Sequence, residues 1–444
     1  MLSLEPQPCC LASRPSRAHS VRDGRLFFEE IDPVALAQCL EGPFVLVSRR
    51  QIEDNLTFVA DAFRFHDART SLIYRTGLPL SARLCGLLRE TRAHIEAASP
   101  AEIALLCAHG VAASRIVVRG ESGPETVAAA LAVGADAISV SSPQEATALA
   151  DAAALRDMRA RCVVRLDSEL AGGWWTRRPA APLGSAFELM QARLAQVLAA
   201  RSLALVGLAA DLGPQVYEVE AYGQTAELLR GLAADLASTR GTALEFIELG
   251  GGMAGEEVVV SDAQGTPLGA AEGVACTATY DDYARAVAAV VAGREPQVRV
   301  DVGEGLLAGG ATLFARLAAH DGGHRQGVAD RSLALVGDGW LLPGGADHLW
   351  YAPTVVANRA SELHSALHWV ALPHTGRSAA GGAQRHALRR TLPTTTTAGD
   401  LLAFLDWGAT GRREESAAGS GETEPTTLLV DGDRLSLLGT MVAP

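Results

Sequence analysis

Ala93-His94-Ile95-Glu96-Ala97-Ala98-Ser99-Pro100-Ala101-Glu102 decides the fold, because it runs a strand straight into a helix start. Ala93–Ala97 is a short β-type run. Ser99 can act as an N-cap, Pro100 suits the first helical position, and Glu102, three residues after the Ser, can complete a capping box. The same arrangement returns where Ala137–Val140 leads into Ser142-Pro143-Gln144-Glu145. Gly110 and Gly134 follow the two runs that end before them and suit helix C-terminal stops.

Working outward, β-type runs recur at Ser71–Tyr74, Ala93–Ala97, Arg115–Val118, Ala137–Val140, Cys162–Leu166, Leu203–Leu208, Glu245–Leu249 and Gln297–Asp301. Each is separated from the next by an Ala/Leu-rich stretch able to hold a helix, which favours a parallel sheet with covering helices. Eight strands with their crossovers in about 250 residues is the arithmetic of a (β/α)8 barrel. A doubly wound open sheet is the alternative that periodicity leaves open. After Asp301 the texture turns to short strands broken by Gly, Pro and Asp, at Leu333–Val336, Leu401–Leu405, Thr427–Val430 and Leu435–Leu438. The expected organisation is therefore disorder over 1–25, a strand from 26–44 joining the β domain, a barrel over 45–301, and a C-terminal β domain over 302–444. Gly376–Gly382 and Arg412–Pro425 read as loops.

The chain has 444 residues, 48% hydrophobic and 20% charged, an ordinary balance for a globular protein with a large core. Its net charge of −13 argues against nucleic acid and anionic membrane surfaces as partners. All 38 basic residues are Arg and none is Lys, so any chemistry that needs a lysine amine is excluded. Codon bias accounts for exposed positions but cannot supply an amine. No apolar stretch is long enough for a membrane helix and no signal-type apolar core opens the chain. The 7 cysteines form no C-x-x-C pair and no metal-ligand spacing, which reads as reduced cytoplasmic thiols with no metal site.

In a barrel, chemistry sits at the C-terminal ends of the strands. Four positions stand out there: Arg75, Asp211, Gly250-Gly251-Gly252 and Asp301. Three successive residues without Cβ let backbone N–H groups approach an anion, as phosphate loops do. A tight turn with no ligand explains the glycines equally well.

The order of motifs resembles the fold type III pyridoxal-phosphate decarboxylases of the diaminopimelate, ornithine and arginine decarboxylase group. Gly42-Pro43-Phe44-Val45-Leu46-Val47 is similar to that family's T-P-F-Y-V-Y, and Ile95–Glu102 to F-D-V-A-S-x-x-E. Leu249–Gly252 matches D-L-G-G-G. Gly399-Asp400-Leu401-Leu402 and Asp406-Trp407-Gly408-Ala409 resemble G-D-L-L and D-A-G-A-Y. The resemblance implies an alanine-racemase-like barrel that carries pyridoxal phosphate, a β domain, and a homodimer with active sites between subunits.

The departures matter more. Ile73-Tyr74-Arg75-Thr76-Gly77 stands where the family has Y-A-V-K-A-N, so Arg75 occupies the position of the aldimine lysine. A guanidinium stays protonated and delocalised, and cannot replace the neutral amine that attacks a carbonyl. Asp211-Leu212-Gly213-Pro214 matches H-x-G-S, which replaces a ring-stacking His. Asp301-Val302-Gly303-Glu304 matches E-P-G-R, so Asp301 is the pyridine-nitrogen position and Glu304 reverses a charge. Thr375-Gly376-Arg377-Ser378-Ala379 falls where C-E-S-x-D belongs, losing the Cys at Thr375. Thr410 replaces the phosphate-reaching Tyr, and Ala181-Pro182-Leu183-Gly184 stands for S-K/R-F-G.

Two functional readings follow. One is a pseudoenzyme that binds pyridoxal phosphate non-covalently or not at all and acts as a homodimer or beside a lysine-containing relative. The other is a diverged enzyme that works on an anionic or amino-acid-like small molecule, with Asp211, Asp301 and Glu304 as acid/base groups. For those three carboxylates the plain alternative is Arg-paired side chains at a barrel rim. Trp174-Trp175 with Arg177 and Arg178 reads as a lid or as loop packing. His364, His368 and His374 lack a metal-ligand order.

Overall fold

In the computed structural model the described residues are 14–15, 17–67, 69–75, 80–166, 183–212, 219–250, 258–261, 267–268, 278–307, 309–319, 331–335, 354–364, 367–377, 383–405 and 425–438. A closed parallel barrel is built from β1 (Ser71–Arg75), β2 (His94–Ala97), β3 (Ile116–Arg119), β4 (Ala137–Val140), β5 (Ala160–Leu166), β6 (Leu203–Asp211), β7 (Phe246–Gly250) and β8 (Gln297–Asp301). The strands run in sequence order around the barrel, and β8 closes on β1 with Arg299, Val300 and Asp301 opposite Ser71, Leu72 and Ile73. The open-sheet alternative is thereby excluded.

The period of two assigns each strand an inner and an outer set. Leu72, Tyr74, Ile95, Ala97, Val118, Ile138, Val140, Val164, Leu208, Ile247 and Val300 join the large core beneath the helices. Ala137, Val163, Val206, Ala209 and Phe246 form a separate buried cluster from the alternate positions, filling the lower barrel. A Cβ on Gly207 would lie 2.7 Å from the Phe246 ring, and the β5–β6 register shifts between Leu205 and Gly207. The bare backbone there is what admits the phenyl ring.

The helix starts follow the sequence with one change. Ser99 accepts from the Glu102 N–H and Ser142 from the Glu145 N–H. The reciprocal bonds reach one residue further back, since Glu102 accepts from the Ala98 N–H at 2.7 Å and Glu145 from the Ser141 N–H at 2.9 Å. Gly134 ends its helix at φ 71, in the left-handed region that favours glycine.

The second sheet runs Ala383–Pro393, Leu367–Arg377, Arg331–Leu335, Ala311–Ala319, Phe44–Ser48, Thr426–Asp431, Arg434–Leu437, with Thr354–Val356 and Leu401–Phe404 attached. Its recruited N-terminal strand is Phe44–Ser48, antiparallel to Ala311–Ala319 and parallel to Thr426–Asp431. The expected boundaries therefore need correction: 45–48 belong to this sheet, and the barrel proper starts at Ser71, after the helix Arg49–His66. Residues 19–25, expected to be disordered, lie in a hairpin of His19–Arg22 with Arg25–Phe28. Buried His19 bonds the Thr312 hydroxyl at 2.7 Å and buried Glu29 accepts from Ser48 at 2.6 Å, which ties the hairpin to the sheet. Gly376 and Arg377, read as loop, pair with Gln384 and Ala383 in a long antiparallel ribbon. Arg412–Pro425 lies outside the described residues except for Pro425. No helix among the described residues is long and apolar enough to cross a membrane.

Candidate functional site

The barrel mouth is lined from the upper inward positions of seven of the eight strands. Arg75 ends β1, Glu96 lies on β2, Arg119 ends β3, Arg165 lies on β5, Asp211 ends β6, Glu248 and Gly250 lie on β7, and Asp301 ends β8. Charged side chains thus cap a barrel whose lower interior is mostly apolar, with the buried Arg299 guanidinium lying 3.5 Å over the Phe246 ring and paired with Asp136. Each charge must then find a partner inside the mouth, because burying it unpaired is costly.

The partners are present. Arg75 lies with Nε 3.0 Å from Glu96 Oε1 and Nη2 2.7 Å from Asp301 Oδ2. Its Nη2 also donates to Glu96 Oε2 at 3.1 Å. Arg119 Nε donates to Glu96 Oε2 at 3.0 Å, and its Nη1 lies 3.3 Å from Asp211 Oδ2. Arg165 Nη2 donates to Glu248 at 3.0 Å, with Nη1 3.6 Å from the same Asp211 oxygen. Asp301 Oδ1 accepts from the Gly303 N–H at 2.8 Å, so its two oxygens serve different partners. Three guanidinium groups and four carboxylates therefore make one continuous network.

Burial alone would lower the pKa of Arg75, but Asp301, Glu96 and Asp211 outweigh it and hold the guanidinium more firmly protonated than usual. The same balance raises Arg165, where Glu248 and Asp211 overcome burial. Burial pushes Glu248 up, with Arg165 opposing. Arg119 Nη2 and Arg165 Nε and Nη1 are buried without a hydrogen bond, although Arg119 Nη2 is within 3.8 Å of Asp301. A cavity of about 10 Å3 remains beside Glu96, Arg119, Ser139, Arg165 and Glu248, room for roughly one water. Gly250 makes the crowding possible, since a Cβ there would lie 3.2 Å from Arg165 Nη1 and 3.2 Å from the Ala210 carbonyl.

The residues singled out in the sequence are only partly gathered here. Arg75, Asp211, Gly250 and Asp301 converge at the mouth as expected, and Arg75 does pair with Asp301. Glu304 lies in the single turn Gly303–Leu306 after β8, and Thr375 sits opposite Arg385 in the β domain ribbon. Gly251, Gly252, Thr410, Trp174, Trp175, Arg177 and Arg178 lie outside the described residues. His364 closes the segment Ala357–His364 while His368 and His374 lie on the next strand. Among the described residues no group of three or more His, Cys, Asp or Glu is placed to hold a metal.

Sequence reading passed over Glu96, Arg119, Arg165 and Glu248 as site residues. A signal existed: each is a charged residue at the inward parity of an otherwise apolar strand.

The sequence profile described as "Pyridoxal-dependent decarboxylase, pyridoxal binding domain" matches residues 49–296, more than half of the chain. Among solved structures, diaminopimelate decarboxylase from M. jannaschii in complex with L-lysine is similar at 16% identity and a TM-score of 0.69, covering 95% of each chain. Diaminopimelate decarboxylase from Helicobacter pylori, also with L-lysine, matches at 15% identity and a TM-score of 0.64, covering 91% of this chain and 95% of that one. Lysine/ornithine decarboxylase from Vibrio vulnificus, complexed with cadaverine, matches at 17% identity and a TM-score of 0.61, covering 89% and 97%. These likenesses establish the shared fold of barrel and β domain, and the profile match establishes kinship: the chain belongs to the pyridoxal-dependent decarboxylase family.

Proposed function

We propose that this protein is a non-catalytic member of that family, a pseudoenzyme that does not carry out pyridoxal-phosphate-dependent decarboxylation. The observation that carries the reading is Arg75 at the end of β1 in a chain without a single lysine. In this family bound pyridoxal phosphate supplies an electron sink for the substrate's carbon, and a lysine amine holds it. The residues here do not fit that covalent role. Arg75 has no nucleophilic lone pair to offer, and its guanidinium is engaged by Glu96 and Asp301.

Asp301 stands at the pyridine-nitrogen position, yet one oxygen is held by Arg75 and the other by the Gly303 N–H. Asp211 lies between Arg119 and Arg165. The rival reading, in which these carboxylates serve as acid and base for a diverged enzyme, is less well supported because guanidinium groups already engage both. The proposal extends to a cytoplasmic protein whose fold serves pairing, as a homodimer or with a lysine-containing relative. Purified protein mixed with pyridoxal phosphate and then with diaminopimelate, ornithine, lysine or arginine tests it. The expected result is no change in visible absorbance beyond that of cofactor and amino acid mixed without protein, and protein-dependent loss of the amino acid would overturn the proposal.

A further inference from the structure

We infer that the helix Arg49–His66 carries a contact surface for a second copy of this chain, with Phe65 as its anchor. The inference rests on the pairing proposed above, not on the loss of catalysis, and gives that pairing a surface.

The inner side of this helix is settled by Ile52, Leu56, Val59 and Phe63, which join the large core. Phe58 and Phe65 fall off that stripe and are 49% and 82% exposed. Seven residues make close to two turns, so the two rings stand about 10 Å apart on one line of the helix. Single apolar side chains at a surface need no explanation, but two aromatic rings at helical spacing make a patch, and such a patch marks a contact. Together they leave roughly 250 Å2 of apolar surface in water, about a third of the ~800 Å2 that each partner of a stable complex buries. They suit the centre of an interface, with the polar groups around them as its rim.

The rim carries both signs. Asp61 lies 2.8 Å from Arg64, and Asp54 lies 3.0 Å from Arg17. On the neighbouring helix Tyr280–Val291, Arg285 lies 3.1 Å from Asp282 and also pairs with Asp281. His66 stands edge-on to Phe65, with ring centroids 5.1 Å apart, and ties the two helices by its 2.7 Å bond to Asp281.

Charge argues that the occupant is a second copy. Four carboxylates against three guanidiniums leave this face nearly balanced on a chain of net charge −13. Copies of an acidic chain repel one another through most of their surface, and least where the charges cancel. The spacing is also self-complementary, as a two-fold contact requires. With the axis beside Asp61, midway between the rings, Phe65 is set against the partner's Phe58 and Arg64 comes towards the partner's Asp61.

Sedimentation equilibrium of the full chain at micromolar concentration tests this. The unaltered protein is expected to be an assembly of at least two copies, and Phe65→Glu to lower its mass to half that value. Because Phe65 is 82% exposed, the variant should keep the circular dichroism and thermal midpoint of the unaltered chain. Leu155→Glu, at a position 86% exposed at the end of another helix, is the control and should leave the mass unchanged. Asp61→Cys, treated with a short thiol cross-linker and mapped by peptide mass, should give a link between position 61 of one copy and position 61 of another. That arm decides even if Phe65→Glu does not fold. An unaltered mass in Phe65→Glu, an equal fall in Leu155→Glu, or no such link in a paired sample overturns the surface and leaves the pairing standing. A chain that is monomeric throughout overturns both, while the non-catalytic reading is decided by its own assay.

Discussion

Replacing Arg75 with Ala removes the central cation of the mouth and leaves two carboxylates facing each other across it. Glu96 and Asp301 have side chains only 6% and 1% exposed, so neither can turn to water for compensation. Removing one partner of a buried pair typically costs about 3–5 kcal/mol, because the other charge stays buried. Here each carboxylate keeps a second partner: Glu96 retains Arg119 Nε at 3.0 Å, and Asp301 retains the Gly303 N–H at 2.8 Å. The expected loss is therefore at the lower end, about 3 kcal/mol. Arg75→Lys keeps the charge but replaces a fork with a point donor, and should lose about 1–2 kcal/mol. Chemical denaturation followed by circular dichroism measures both, as a shift of midpoint at constant slope. A loss below about 0.5 kcal/mol for Arg75→Ala would match an exposed surface pair and refute the view that the network holds the mouth together.

Stability should also fall in acid. Burial lowers the pKa of His19 to about 3, and burial followed by Arg299 lowers His94 to about 4, while both titrate near 6.5 when unfolded. Between those values the unfolded chain binds more protons, so stability rises with pH and is lost as pH falls from 6.5 towards 4. The slope is at most about 1.4 kcal/mol per pH unit for each histidine, and His19→Gln should flatten it. Gly207→Ala should destabilise by about 1–3 kcal/mol in thermal or chemical unfolding, because the new methyl meets the Phe246 ring at 2.7 Å. Glu145→Ala removes the acceptor for the Ser141 N–H and the Ser142 hydroxyl at one helix start, and should cost about 1 kcal/mol by the same assay.

The barrel was legible in the sequence because its signals are local. Alternating apolar runs, Ser-Pro helix starts and Gly134 at a C-cap each depend on a few neighbouring residues, and all eight strands fall where the runs predict. Phe44–Ser48 was harder to place: a wholly buried apolar strand looks the same in either domain, and its partner Thr426–Asp431 comes from the far end of the chain. The ribbon of Leu367–Arg377 with Ala383–Pro393 was missed for a related reason, since its Gly, His and Arg residues imitate a loop until the cross-strand register is known. At the site, the loss of lysine was plain from composition. Where Arg75 points was not, because Glu96 and Arg119 belong to strands read for their apolar pattern, and only closure of the barrel brings their inward positions to Arg75 and Asp301.

The most direct test of the central claim is release of carbon dioxide by the purified chain, supplied with excess pyridoxal phosphate, from diaminopimelate, ornithine, lysine and arginine in turn. The account predicts a rate no different from that of cofactor and amino acid without protein. Sustained, protein-dependent release from any one of them would contradict it.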